Sequence, residues 1–541
     1  MTQSYVQEFP LRLAGFLEHA AKWRPDAGVV TATGRGTTAR IRYRDLLQAS
    51  RRFSTALRRF SVGAGDRVAT LAWNTQAHAE AWYGIAGMGA VVHTLNPRLS
   101  PDTLGSMARQ AEDRVLVVSA SLASLGAELA KLAPSIERLI VIDEALDLGA
   151  LDAPVPVSLH GEMADYPPGE WGGDDENAPA TLCFTSGTTG EPKGVIYTHR
   201  SSYLHTLRLL QAEVIGPTAA DRILMVVPMF HANGWGLQFA APAAGASLIL
   251  PGRHSDGESL ASLIRTEGVT VAAGVPTVWL GLIDHIDQTG EDLPTLKRII
   301  VGGAPMGSQL MERIERRLGA IVQTSWGMTE LTPLGTIAPA DLPCRDAASA
   351  GRVAVGVDLL LKDENGRPLP DQREAEGRLH IKGQSVVNRY YGQSEPAVDA
   401  EGWFDTGDLA RIGEDGSLFI TGRAKDLIKS GGEWINPAEI ESIVGASPLV
   451  SQVAVIARLD PKWGERPILI VEMADNATAT DDQLVQRLRG RVPSWWAPDA
   501  VIRVAAMPLA ATGKIDKQKL RDAFGQGEEA PGARQLPETE N

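Results

Sequence analysis

TLCFTSGTTGEPKGVIYTH occupies residues 181–199, where two short apolar runs, TLCF (181–184) and VIYTH (195–199), flank TSGTTGEPKG (185–194). The two runs read as strands. Between them, glycines allow backbone N–H groups to converge on an anion, hydroxyls add donors and Lys193 supplies charge, which is the chemistry of a phosphate loop. The pattern is not a Walker A motif, because Lys193 is followed by Gly194 rather than Ser or Thr and the glycine spacing differs. Composition alone fits a solvated Gly/Thr loop joining a hairpin as well.

Outward from this stretch, helical and strand-like patterns alternate. Tyr43–Phe60 reads helical; RVATLAW (67–73), RVLVVSA (114–120) and RLIVID (138–143) read as strands. Beyond it, ILMVVP (223–228), SLILP (247–251), VTVAAGVP (269–276) and RIIVGGAP (298–305) continue the series, each followed by a helical pattern. Such βα alternation predicts a mostly parallel sheet flanked by helices, an α/β fold. The texture changes near 345–420, where DLLLKD, GRLHIKG and a hairpin in EGWFDTGDLARIGEDGSLFITGR (401–423) predict a small antiparallel β region. From about 424 a compact α+β piece is expected. GIAGMGA (84–90) has the wrong spacing for a dinucleotide fingerprint and reads as helix packing.

The expected division is a body over 1–423, a mobile C-terminal domain over 424–522 and a disordered acidic tail over 523–541. A chain of 541 residues is too long for one core, and 44% hydrophobic with 22% charged residues is ordinary for a globular protein. The net charge of −14 argues against a duplex nucleic-acid binder but not against small phosphate ligands. Two cysteines, Cys183 and Cys344, make neither a disulfide framework nor a four-ligand zinc site. The start resembles an amphipathic helix rather than a signal peptide, and AWYGIAGMGAVVHTL (81–95) is too short to span a bilayer. The expectation is a cytoplasmic protein.

TSGTTGEPKG with THR, PMFHANGW, VGGAP, SWGMTE, GWFDTGDLA, GRAKDLIKSGGEWINPAEIE and PLAATGKIDK stand in one order along the chain. Together they resemble the adenylate-forming superfamily of acyl-CoA synthetases, luciferases and peptide-synthetase adenylation domains, over residues 20 to 520. KDLIKSGGEWI resembles the fatty acyl-CoA synthetase branch. The resemblance implies a two-step ligase: a carboxylate attacks the α-phosphate of ATP, and the thiol of coenzyme A then displaces AMP. Medium- or long-chain fatty acids are the implied substrates, with a short acid such as 3-methylthiopropionate or an aryl acid as the alternative. A luciferase-like oxygenase and a non-catalytic nucleotide-binding protein are weaker readings, and a homodimer is compatible with the family.

By the same resemblance, Thr185, Ser186, Gly187, Thr188, Thr189, Gly190 and Lys193 hold phosphates, with Thr185 and Glu330 toward Mg²⁺. Gly303, Ala304 and Pro305 border one face of adenine and Trp326 stacks on the other, where the family usually has Tyr; Gly327, Met328 and Thr329 also bind ATP. Asp408 and Arg423 take the ribose, Lys429 and Trp434 contact the nucleotide, and Lys514 bridges the reacting carboxylate and α-phosphate. His231, Trp235, Val275, Gly302 and Gly327 form the acyl pocket. Lys425 is the hinge, and Ser430, Gly431, Gly432 and Glu433 line the coenzyme A tunnel. Gly422 departs from the family, many members of which carry Asp there.

Overall fold

The computed structural model describes residues 6–34, 36–143, 151–173, 175–185, 192–342, 345–474, 477–510 and 514–526. Ser186–Gly190 of the expected phosphate loop and residues 527–541 of the expected tail lie outside them.

Two sheets organise the body. In one, Val157–Leu159, Arg138–Ile142, Val115–Ser119, Arg67–Leu71, Val91–Thr94 and Pro179–Thr185 run parallel, and Lys193–Thr198 returns antiparallel at the edge. The other carries Arg298–Val301, Val271–Gly274, Arg222–Met225, Ser247–Leu250 and Gly28–Gly34 in parallel neighbouring positions. Strands such as VLVVS are apolar throughout because both faces of a parallel sheet are covered by helices.

One core cluster takes residues from both sheets, Val92 and Val117 with Met225 and Leu248, together with Leu17, Phe53 and Trp82 from the helices Ala14–Trp23, Tyr43–Arg59 and Gln76–Gly87. The outer faces are closed separately. Leu104 and Leu129 cover one sheet, and Leu260, Trp279 and Ile314 the other. Burial of each such side chain contributes about 1.5–3 kcal/mol. Helix starts follow local rules: Ser100 accepts from the Thr103 N–H with Pro101 in the first turn, and Asp256 accepts from the Ser259 N–H.

The strands at 349–423 are antiparallel, as their texture suggested, and they continue an existing sheet. Ile321–Gly327 pairs with Leu334–Ile337, which pairs with Ser349–Val353, so they extend the second sheet. The strand end bearing Trp326 is thereby brought to the strands bearing Asp408 and Arg423. C-terminal to these, Ile428–Ser430, Glu433–Ile435, Val450–Asp460, Gly464–Met473 and Ala500–Arg503 form a third sheet against the helix Pro437–Gly445. Among the described residues no helix is long and apolar enough to cross a membrane.

Candidate active site

Asp408 and Arg423 face each other across the pair Phe404–Ile412 and Ser417–Arg423. Arg423 Nε lies 2.8 Å from Asp408 Oδ1, and Trp326 Nε1–H donates to Asp408 Oδ2 at 3.0 Å. Both carboxylate oxygens are therefore held. Burial pushes the Asp408 carboxyl above its usual range, while Arg423, the Trp326 bond and Lys514 pull it back.

Lys514 arrives from the C-terminal side. Leu509 pairs with Ile515 in an antiparallel bridge, and the Ala510 N–H donates to the Lys514 carbonyl at 2.7 Å. Part of the side chain stays accessible. Enough protein surrounds the ammonium that desolvation lowers its pKa, Arg423 adds to the shift and Asp408 opposes it. The same charge reaches His231: burial, then Lys514, then Arg98 bring that imidazole down to about 4, so it is neutral at pH 7. Lys514, Asp408, Arg423 and His231 thus converge from four separate segments.

Of the residues expected at the phosphates, Thr185 and Lys193 are register partners across two antiparallel strands. Glu330, a surface group by composition, is buried at 9% exposure in the short turn Thr329–Leu331. Its carboxyl is pushed up by burial and held down by the Tyr390 hydrogen bond, Arg423 and Lys193. The Tyr390 hydroxyl donates to Glu330 Oε1 at 3.0 Å, and the Lys193 ammonium stands 5.0 Å from the Tyr390 ring centroid. Tyr197 OH fixes the turn by donating to the Thr329 carbonyl at 2.6 Å. No group of three or more His, Cys, Asp or Glu could hold a metal among the described residues. A hydroxyl and one carboxylate are hard oxygen donors, the set that suits Mg²⁺ carried largely by nucleotide phosphates.

Of the residues expected at the acyl pocket, Trp235 lies in a left-handed turn. Ala232, Asn233, Gly234, Trp235 and Gly236 all have positive φ, between 37° and 72°. Left-handed backbone costs roughly 1–2 kcal/mol at each non-glycine residue, so the turn needs external support. Asn233 supplies it: its side chain accepts from Thr94 Oγ1 at 3.0 Å and donates to Thr181 Oγ1 at 2.7 Å. Trp235 is thereby laid over Gly302, where a Cβ would meet the indole at 3.0 Å and Ser325 Oγ at 2.6 Å. Val275 closes on Gly303 from the side. The room expected at Gly302 is filled by Trp235. At Gly327 the reason for glycine is different from an acyl chain: a Cβ there would lie 2.2 Å from the Pro333 carbonyl oxygen.

The remaining expected residues gather elsewhere. Gly303, Ala304 and Pro305 follow the strand Arg298–Val301. Lys429 and Trp434 are cross-strand partners, the ammonium 5.3 Å from the indole ring. Ser430 accepts from Arg466, and Gly431 lies against Trp463. Gly432 and Glu433 complete this hairpin, around Gly432 open space. Lys425 is lowered by burial and by Arg423, Arg521 and Lys517, against Asp426.

Residues 17–391 match the model of the AMP-binding enzyme family, and residues 439–514 that of the AMP-binding enzyme C-terminal domain. The chain belongs to the AMP-binding enzyme family. A 3-methylmercaptopropionyl-CoA ligase of Ruegeria lacuscaerulensis is 37% identical, across 95% of this chain and 97% of its own. A medium-chain-fatty-acid–CoA ligase of Ectopseudomonas oleovorans is 36% identical, across 95% and 96%. ATP-bound MatB from Rhodopseudomonas palustris superposes with a TM-score of 0.83 at 26% identity, covering 95% of this chain and 99% of that one. The protein is an AMP-forming acyl-CoA ligase, with ATP and coenzyme A as substrates and Mg²⁺ as the family's general metal.

In this AMP-binding enzyme, sequence reading passed over Tyr390, Tyr197 and Asn233. Asn233 lies inside the quoted FHANGW block, and a side-chain amide in a Gly-rich turn is the usual signal for left-handed backbone. Tyr390, in NRYYGQ, has no such local signal; its partners are 60 and 197 positions away.

Proposed function

We propose that this ligase activates a carboxylate whose acyl chain carries no charge, that of a medium- or long-chain fatty acid, with Lys514 as the residue that meets the reacting carboxylate and the α-phosphate. The observation that carries the choice of acid is the wall around His231. Trp235, Val275 and Gly302 bear no charge and His231 is itself neutral, a lining that suits an apolar acyl chain.

In the first step a carboxylate oxygen bonds to the α-phosphorus and the bond to pyrophosphate breaks. Two anions must approach, so the site works by placing positive charge and donors where negative charge develops. Lys514 supplies the ammonium, Lys193 neutralises the outer phosphates, and Thr185 with Glu330 are the protein donors for Mg²⁺, which supplies charge neutralisation when bound. Asp408 accepts from the ribose hydroxyls, and Trp326 offers its ring to adenine opposite Gly303, Ala304 and Pro305. In the second step the coenzyme A sulfur attacks the acyl carbonyl carbon and AMP leaves. The domain from 424 to 522 turns about Lys425 between the steps, exchanging Lys514 for the Ser430–Glu433 hairpin.

A second reading has its own support. Trp235 covers Gly302 here, which suits a short acid such as a methylthio-alkanoate. Acid-dependent AMP release with ATP, Mg²⁺ and coenzyme A, across straight chains of graded length plus methylthio and aryl acids, decides between the two. An optimum at six or more carbons, roughly the span of a pocket deeper than the indole, supports the first; activity confined to short or aryl acids overturns it. The cytoplasm and a homodimer complete the proposal, the latter checked by sedimentation.

A further inference from the structure

The segment Val387–Tyr391 clasps two parts of the site. At one end the Val387 N–H donates to the Glu330 carbonyl at 2.7 Å; at the other the Tyr391 N–H donates to the Gly194 carbonyl at 2.7 Å. The first bond grips the turn that carries the Glu330 carboxylate. The second grips the residue after Lys193. Between them Tyr390 touches both functional side chains, its hydroxyl on Glu330 Oε1 at 3.0 Å and its ring 5.0 Å from the Lys193 ammonium. Phe404 meets the Tyr390 ring edge-on at 6.5 Å between centroids, so the ring has little freedom to turn. Gly194 is also packed, since a Cβ there would lie 3.0 Å from Tyr391 Cβ.

A buried carboxylate and an ammonium near each other tend to collapse into a direct ion pair, which would spend both groups before nucleotide arrives. Among the described residues Glu330 and Lys193 form no ion pair with each other: Glu330 takes the Tyr390 hydroxyl and Lys193 faces the Tyr390 ring. The aromatic ring holds the cation on its face while the hydroxyl holds the anion at its edge. We infer that Tyr390 is a positioning residue that keeps Lys193 and Glu330 apart and aimed at the same phosphates. The inference rests on the assignment of Lys193 and Glu330 to phosphates and metal.

Two functions of one side chain separate by substitution. Tyr390→Phe keeps the ring under Lys193 and deletes only the hydroxyl on Glu330. Tyr390→Leu deletes both. The measurement is equilibrium binding of a non-hydrolysable α,β-methylene ATP, by calorimetry, over a series of free Mg²⁺ concentrations, with Glu330→Gln as reference and thermal unfolding as the check on folding. Tyr390→Phe is expected to raise the Mg²⁺ concentration for half-maximal nucleotide affinity by roughly tenfold, the size of one hydrogen bond to a charged group, with metal-free affinity unchanged. Tyr390→Leu is expected to lower metal-free affinity as well, by roughly threefold to tenfold, through loss of the ring beneath Lys193. In pyrophosphate exchange the Phe variant should recover wild-type kcat at high Mg²⁺, which a distorted fold would not.

An unchanged or tighter Mg²⁺ requirement in Tyr390→Phe, with Glu330→Gln having lost the Mg²⁺ response, overturns the role of Tyr390 and leaves the Glu330 assignment standing. A full Mg²⁺ response in Glu330→Gln overturns that assignment and the inference with it.

Discussion

Trp326 and Asp408, 82 positions apart, are joined by an indole N–H···carboxylate bond of 3.0 Å. With Arg423 on the other oxygen, both Asp408 oxygens are held by protein groups. Trp326→Phe keeps an aromatic face but removes the donor from a buried carboxylate, at a cost of about 1–2 kcal/mol. AMP affinity measured by calorimetry should fall roughly tenfold. Equal affinity in the two proteins would mean that the indole N–H does not help to place Asp408.

Lys514 acts electrostatically on both Asp408 and His231. Lys514→Ala should therefore slow acyl-adenylate formation by at least about a hundredfold, the loss seen when a preorganised donor to developing negative charge is removed. Thioester formation from supplied acyl-adenylate should persist. Equal loss of both half-reactions would remove the case for a rotating C-terminal domain.

That same arrangement depends on Gly422. Asn436 caps the helix Pro437–Gly445 by accepting from the Ala438 N–H at 3.1 Å, and its amide donates to the Thr421 carbonyl at 2.7 Å. A Cβ at Gly422 would lie 2.7 Å from Asn436 Oδ1. Gly422→Ala must push Asn436 away, weakening a cap and a contact with the strand Ser417–Arg423, each about 1 kcal/mol. Adenylation should slow several-fold relative to thioester formation. A proportional change in both would show that this contact does not favour one domain arrangement.

Much of this was legible in the sequence. Runs such as VLVVS and RLIVI declare strands because a parallel sheet demands apolar residues on both faces. Lys514, Glu330 and Asp408 lie in compact motifs whose resemblance carries their positions. Tyr390 does not, since its meaning comes from two partners brought in by separate hairpins. The continuity of the second sheet was hidden too. It depends on Leu334–Ile337, a four-residue strand beside a turn at Thr332 with φ of 69°, and a strand so short gives no periodic signal.

Acid should destabilise the fold through histidines held neutral. His78 and His199 are brought to about 4 and His205 well below its ordinary value, with burial as the main cause in each. Their folded pKa values lie below the unfolded one near 6.5, so the unfolded chain binds the extra protons. The associated stability is complete above pH 6.5 and is lost as pH falls from 6.5 towards 4, by up to about 3 kcal/mol for a fully buried group such as His78. The unfolding midpoint should drop over that window, and His78→Gln should flatten the drop. A midpoint independent of pH between 7 and 5 would contradict these neutral histidines.

On the proposed function, Trp235 governs how far an acid can enter. The indole rests on Gly302 in a backbone with φ of 54°, which costs a Trp roughly 1–2 kcal/mol and a Gly nothing. Trp235→Gly thus removes the cover and relieves the strain together, whereas Gly302→Ala drives a methyl into both the indole and Ser325 Oγ. The first variant should lower its unfolding midpoint, since the packing lost with the indole outweighs the strain relieved, and move the optimum in the acid panel towards longer chains, with kcat/KM for short acids falling through lost contact. The second should lose activity on all acids, because neither neighbour can retreat far in a packed wall. If Trp235→Gly leaves the chain-length profile where it was, the indole is not the boundary of the acyl pocket, and the wall must be sought beyond the turn at Ala232–Gly236.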